Sequence, residues 1–184
     1  LSALKAFFSG FAGFQRMVQT YERTQASEYN LLKLLRLEHL EERMHTPFLT
    51  DLLSPTGTHA QGNLILQSFL RHFLPEEDLE NFGNPEYPLV EAEKHTGTLG
   101  RVDILIREMK GTKPFAIIIE NKIYAQDQPD QLDRYYQYAQ QGLGLKDSQI
   151  RLIYLTPWGH IPSEQSIKLE KRERLMKDGI LLIC

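Results

Sequence analysis

The chain has 184 residues, 41% apolar and 24% charged, with 21 basic and 24 acidic side chains and a net charge of −3. This composition fits one soluble globular domain with material for a core, and it excludes an overall basic field that would by itself mark a nucleic-acid binder. One cysteine, Cys184, excludes an internal disulfide and a cysteine-based zinc cluster and fits a reducing cytoplasm.

In chain order, residues 1–24 predict a first helix on which Leu4, Phe7, Phe8, Phe11 and Phe14 recur at helical spacing, a stripe expected to pack against the rest of the domain. Lys5, Gly10, Gly13 and Gln15 break its apolar character, so it is neither a spanning helix nor a secretory signal. Residues 27–44 predict a second helix. Thr46 is expected to cap a short third one with Pro47 in its first turn. A turn-rich loop over 54–62 precedes helical spacing over 63–73, and 75–88 reads as an acidic loop broken at Asn84-Pro85. A first strand follows over 89–94.

Residues 101–107 and 115–123 are β-branched and apolar, and turn residues lie between them. They predict an antiparallel hairpin. A bend centred on Gly111-Thr112 puts Asp103 directly opposite Glu120 and Arg101 opposite Lys122, with Asp103, Glu120 and Lys122 on one face. Residues 128–140 predict a helix with Pro129 near its start and Gly142 and Gly144 at its end. A fourth strand follows over 150–156. The apolar run 179–184 looks like a strand just begun, so the chain is expected to be a fragment truncated at its C-terminus. A reading in two parts results, an N-terminal helical region over 1–62 packing on a core over 63–184.

Opposed residues of a hairpin have Cβ atoms roughly 4.5 to 5.5 Å apart, and like charges there destabilise the sheet. Something positive must sit between Asp103 and Glu120. Lys122 supplies part of that charge, and converging carboxylates also match the oxygen ligands that Mg²⁺ or Mn²⁺ prefers. A salt-bridged strand end is the plain alternative. Against it stands Ala116-Ile-Ile-Ile119, which reads as a strand covered on both faces, where emerging acids need a partner. Six histidines are scattered without a tight ligand pair. Local cations at Lys94, Arg101, Arg107, Lys113, Lys122 and Arg134 could line a groove around the hairpin.

Gly100-Arg-Val-Asp103, Ile117-Ile-Ile-Glu120-Asn-Lys122-Ile, then Asp127-Gln128, Gln131-Leu132 and Arg134-Tyr135, resemble the PD-(D/E)XK nuclease superfamily, in particular its poorly characterised bacterial branch. That branch also shows an upstream stretch similar to His45-Thr-Pro-Phe-Leu-Thr-Asp-Leu-Leu-Ser-Pro55. Val102 stands where the family name has proline. The resemblance covers about residues 38 to 160. It implies a restriction-endonuclease-like α/β core of order αβββαβ, a mixed sheet of four to five strands flanked by helices, here with an N-terminal helical extension.

The activity it implies is metal-dependent hydrolysis of DNA phosphodiester bonds, with Mg²⁺ or Mn²⁺, in defence or repair; RNA remains open. Asp103 and Glu120 would hold the cation and Lys122 would orient water or stabilise the oxyanion. A further acid, Glu42 first and Glu93 next, would complete the metal site. Gln131 and Tyr135 resemble the Gln-x-x-x-Tyr helix of RecB-like members, where the glutamine borders the site, with Gln128 beneath it. Arg101, Gln128 and Tyr135 are the substrate-side candidates. Whether Glu91 or Glu93 faces Asp103 is undecided from sequence. One active site per chain would favour a homodimer for double-strand cutting, in a cytoplasmic protein without membrane spans. The alternative is a nucleic-acid-binding module that keeps the fold but does not cut without a partner or its missing C-terminal part; a third reading leaves the hairpin charges as salt bridges only.

Overall fold

The computed structural model of the chain describes residues 34–37, 40–82, 88–110 and 113–184, without the side chains of 41, 42 and 81. The chain divides into two compact units, Leu1–Glu38 and His39–Cys184, and the sheet and its flanking helices belong to the second. The phenylalanine stripe of the first expected helix lies outside the described residues, as do the bend residues 111 and 112.

Glu41–His45 forms a π-type turn that runs into α1, Thr46–Leu53. Thr46 is not the cap expected of it: His45 holds that position without a side-chain bond, and Thr46 is the buried first helical residue, with Pro47 in the first turn as anticipated. The reason is the preceding turn, which already supplies helical backbone before Thr46. Helix α2, Leu64–Phe73, follows the loop. Helix α3, Glu76–Asn81, occupies a stretch expected to be loop; three acids in its first turn suit the positive end of a short helix dipole.

The sheet has five strands in the order β1-β2-β3-β4-β5: Leu89–His95, Arg101–Glu108, Phe115–Asn121, Ile150–Leu155 and Leu181–Ile183. β1, β2 and β3 form an antiparallel meander, whereas β4 pairs with β3 and β5 with β4 in parallel. The parallel pairs need crossovers, supplied by helix α4, Gln131–Gln137, and helix α5, Leu169–Lys177. α4 begins three residues later than spacing suggested, because Asp130 takes a left-handed φ of 52°. α5 was not anticipated, since it presents a single buried apolar side chain, Leu175.

Every residue of β3 is buried, as its unbroken apolar run requires of a central strand covered on both sides. Ala116 and Ile118 join Leu132, Tyr135, Tyr136 and Ala139 of the α4 region and Leu175 of α5 in one core layer. Ile117 and Ile119 pack with Leu53, Leu66, Leu70 and Leu79 from α1 to α3 on the opposite face. The result is a mixed five-stranded sheet flanked by helices, the restriction-endonuclease-like α/β architecture the sequence pointed to.

Candidate active site

The hairpin register is the one the two apolar runs predict. Ile104 faces Ile119, Leu105 faces Ile118 and Ile106 faces Ile117, so one further step brings Asp103 level with Glu120. Asp103 Oδ2 accepts the Asn121 amide at 2.9 Å, which locks the two strand ends together. Glu120 is 2% exposed and Lys122 7%. Lys122 Nζ lies 3.0 Å from Glu120 Oε1 and donates to the Gln126 carbonyl at 3.1 Å.

The glutamine helix closes the other side. Gln131 Nε2 donates to Glu120 Oε1 at 2.8 Å and to the Tyr135 hydroxyl at 3.0 Å. The Tyr135 hydroxyl sits 2.9 Å from Glu120 Oε2 and 2.8 Å from the Arg101 carbonyl, with one proton to give between them. The i,i+4 spacing of Gln131 and Tyr135 puts both groups on one helical face, above the carboxylate. Burial and the neighbouring Asp103 charge push the Glu120 carboxyl up to about 7, against the lowering pull of Lys122. Burial and the same two carboxylates raise the Tyr135 phenol far above its ordinary range, so it stays a neutral donor.

The remaining candidates fall around this centre. Continuing the β1–β2 register, in which Ala92 faces Ile104 and Lys94 faces Val102, Glu93 is the residue level with Asp103. It has a left-handed φ of 50° and its Oε2 lies 2.6 Å from Arg101 Nε. Glu91 points to a different cluster, accepting from Lys94 at 2.8 Å and Arg107 at 2.9 Å. Burial pushes the Glu91 carboxyl up, but these two cations outweigh it and hold it below its usual value. Gln128 is exposed; its amide donates to Gln131 Oε1 at 3.3 Å and its side-chain oxygen accepts from Arg134 Nη2 at 3.4 Å. The Glu42 side chain lies outside the described residues.

Tyr154 escaped the sequence reading, and Asp127 entered it only as part of the family resemblance, without a role. Tyr154 stands beside Glu120 in the parallel β3–β4 register, and its hydroxyl donates to Asp127 Oδ1 at 2.9 Å. Asp127 Oδ2 accepts the Ser163 amide at 2.8 Å. This carboxylate thus ties the segment carrying Gln126 and Gln128 to the loop beyond β4. Period two along β4 would have placed Tyr154 on the correct face, but only the parallel pairing shows which acid it neighbours.

The Lys122 ammonium lies against Glu120 alone of the two opposed carboxylates, and Glu120, the more buried of them, resists ionisation beside the Asp103 charge. That donor set fits a divalent cation, which would relieve the like-charge repulsion between Asp103 and Glu120. Among the described residues, no group of three or more His, Cys, Asp or Glu side chains is clustered tightly enough to hold a metal unaided.

A restriction-endonuclease-like sheet carrying an opposed acid pair, a glutamate two residues before a lysine and a glutamine-tyrosine helix defines a nuclease class. The chain belongs to the PD-(D/E)XK nuclease superfamily, whose family model matches residues 29–178. Members of that superfamily generally use divalent metal ions. Searches among curated proteins and solved structures found no significant match. No helix among the described residues is long and apolar enough to cross a membrane.

Proposed function

We propose that the protein is a Mg²⁺- or Mn²⁺-dependent nuclease that hydrolyses DNA phosphodiester bonds, serving defence or repair. The observation that carries this reading is the half-buried Asp103 level with the buried Glu120, whose carboxylate lies 3.0 Å from the buried Lys122 Nζ. Asp103 and Glu120 would hold the cation, with Glu42 or Glu93 as the further acid. A divalent cation bound there would neutralise the phosphate's nonbridging oxygens as charge grows on them and polarise the attacking water.

The chain's own groups set the geometry. Gln131 and Tyr135 fix the Glu120 carboxylate by a hydrogen bond to each oxygen. Lys122 directs two of its three N–H bonds to Glu120 and Gln126, leaving the third to orient water or a phosphate oxygen. Arg101, beside Asp103, and Gln128 face the substrate side, where Tyr135 acts through Glu120. Cutting both strands with one site per chain would take two copies.

A second reading is a nucleic-acid-binding module that keeps the fold but does not cut alone. One experiment separates the two. Linear and circular DNA and RNA are incubated with the protein in Mg²⁺ or Mn²⁺, beside Glu120→Ala and Lys122→Ala. Cleavage by the parent that both variants lose supports the nuclease; binding without cleavage supports the module; neither leaves only a salt-bridged hairpin.

A further inference from the structure

Two large aromatic side chains are largely exposed just beyond the central strands. Tyr124 is 65% exposed and Trp158 78%. They lie on the segments that leave β3 and β4, neighbouring parallel strands in which Asn121 is level with Leu155. Each is the third residue beyond that level, on the loop that follows its strand. Lys122, whose amide continues the ladder to the Leu155 carbonyl at 2.8 Å, separates Tyr124 from Glu120.

Neither exposure is accidental slack. Trp158 sits in a turn closed by the His160 amide on Thr156 Oγ1 at 2.9 Å, with Gly159 at a φ of 65° that a side chain would oppose. The two loops are tied to each other by the Asp127 carboxylate on the Ser163 amide and by the Asp130 amide on the Gln165 carbonyl at 2.7 Å. Large apolar side chains held in water on braced loops mark a surface for a ligand with flat apolar faces.

Charge narrows the choice of ligand. Duplex DNA is held chiefly by neutralising phosphates, but four of the cations around the hairpin are already matched to acids, Arg101 to Glu93, Lys94 and Arg107 to Glu91, and Lys122 to Glu120, while Arg134 donates to the Leu99 carbonyl and to Gln128. With a net charge of −3, little is left to hold two phosphate strands. Single-stranded nucleic acid is bound differently, by stacking each unpaired base on an aromatic ring.

We propose that Tyr124 and Trp158 form a stacking platform for unpaired bases, so that the preferred substrate is single-stranded DNA or a single-stranded end delivered past Lys122 to the acids. This rests on the nuclease reading of the same site, and its test is separable from it because binding is measured in EDTA, where no cutting is needed. Trp158 is the only tryptophan of the chain, so its fluorescence reports the contact directly.

The whole chain is titrated with a mixed-sequence DNA oligonucleotide, single-stranded and as a blunt duplex. Stacking predicts quenching of Trp158 by the single strand and binding at least tenfold tighter than the duplex. With a fluorescent oligonucleotide followed by anisotropy, Tyr124→Ala and Trp158→Ala should each weaken single-strand binding by about 5- to 150-fold, the range for loss of one base stack, at unchanged thermal stability. Equal or tighter duplex binding, or two alanine variants that bind like the parent, overturns the platform. A protein that stacks single strands in EDTA yet cuts no nucleic acid in Mg²⁺ or Mn²⁺ keeps the platform and overturns the nuclease.

Discussion

Glu120 carries the most consequential single property of the site, a carboxyl held near 7 by burial beside Asp103. Its folded-state affinity for a proton exceeds that of the unfolded chain, where the ordinary value is 4.5. The stabilisation from that proton is complete below the unfolded value and disappears as pH rises through about 7. The metal-free protein should therefore lose stability between about pH 5 and pH 8 from this group. Glu120→Gln, which cannot ionise, should melt higher than the parent at pH 8 in EDTA, with the gap closing towards pH 5. Parallel melting curves across that interval would refute the assignment. Lys122→Ala should cut kcat by about 100- to 1,000-fold, the loss seen when one preorganised charge-stabilising donor is removed, measured as initial cleavage rate at saturating DNA.

At the scale of elements, the site is a hairpin end held under one helix. Gly100, at a φ of 102°, opens β2, and a Cβ there would run into Arg134 Nη1, which donates to the Leu99 carbonyl at 3.0 Å. Gly100→Ala should cost about 1–3 kcal/mol in urea unfolding, since a left-handed backbone and a displaced guanidinium act together. Asp127 braces the loop between Lys122 and Gln131. Asp127→Ala, which removes the bonds from both Tyr154 and Ser163, should lower kcat about tenfold with little change in KM, and Asp127→Asn, which keeps one acceptor, should fall between, as expected of a positioning group. Equal effects on kcat and KM would make the brace a substrate contact instead.

The hairpin was legible because two β-branched runs flank turn residues, so the register of Asp103 against Glu120 followed from counting. The Gln131–Tyr135 face was legible from i,i+4 spacing. The parallel placement of β4 was not, because a short apolar run such as residues 150–155 specifies burial and leaves its neighbour open; with it went Tyr154. Helix α5 was hidden by its charge: Glu170, Lys171, Arg172, Glu173 and Arg174 follow one another and leave only Leu175 to mark a buried face. The short α3 was hidden by Pro75 before it and Asn84-Pro85 after it, which read as loop punctuation.

At the scale of the molecule, a buried ion pair joins the sheet to a helix on one of its faces. Arg151 on β4 donates through Nε to Asp78 Oδ2 at 2.6 Å and also pairs through Nη2 with Oδ1, binding the sheet to α3. Its guanidinium lies 5.5 Å over the Phe82 ring, which stacks on Phe115 of β3 at 4.7 Å. Removing one partner strands a charge in the interior. Asp78→Asn should cost about 3 kcal/mol or more in denaturant unfolding, whereas Asp78→Leu with Arg151→Met should recover much of that loss. If the double variant were no better than the single, the pair would be contributing more than the cost of an isolated charge.

The unbroken burial of β3 has a consequence for the newly made chain. Phe115-Ala-Ile-Ile-Ile119 is an uncharged, β-prone window without proline, the composition that stacks between molecules before its covering helices arrive. Lys113 and Pro114 close it on one side, Glu120 and Lys122 on the other, so the groups that serve the chemistry also act as gatekeepers against aggregation. A variant that neutralises both Glu120 and Lys122 should therefore yield more insoluble protein on expression than either single change, even where its folded form is intact.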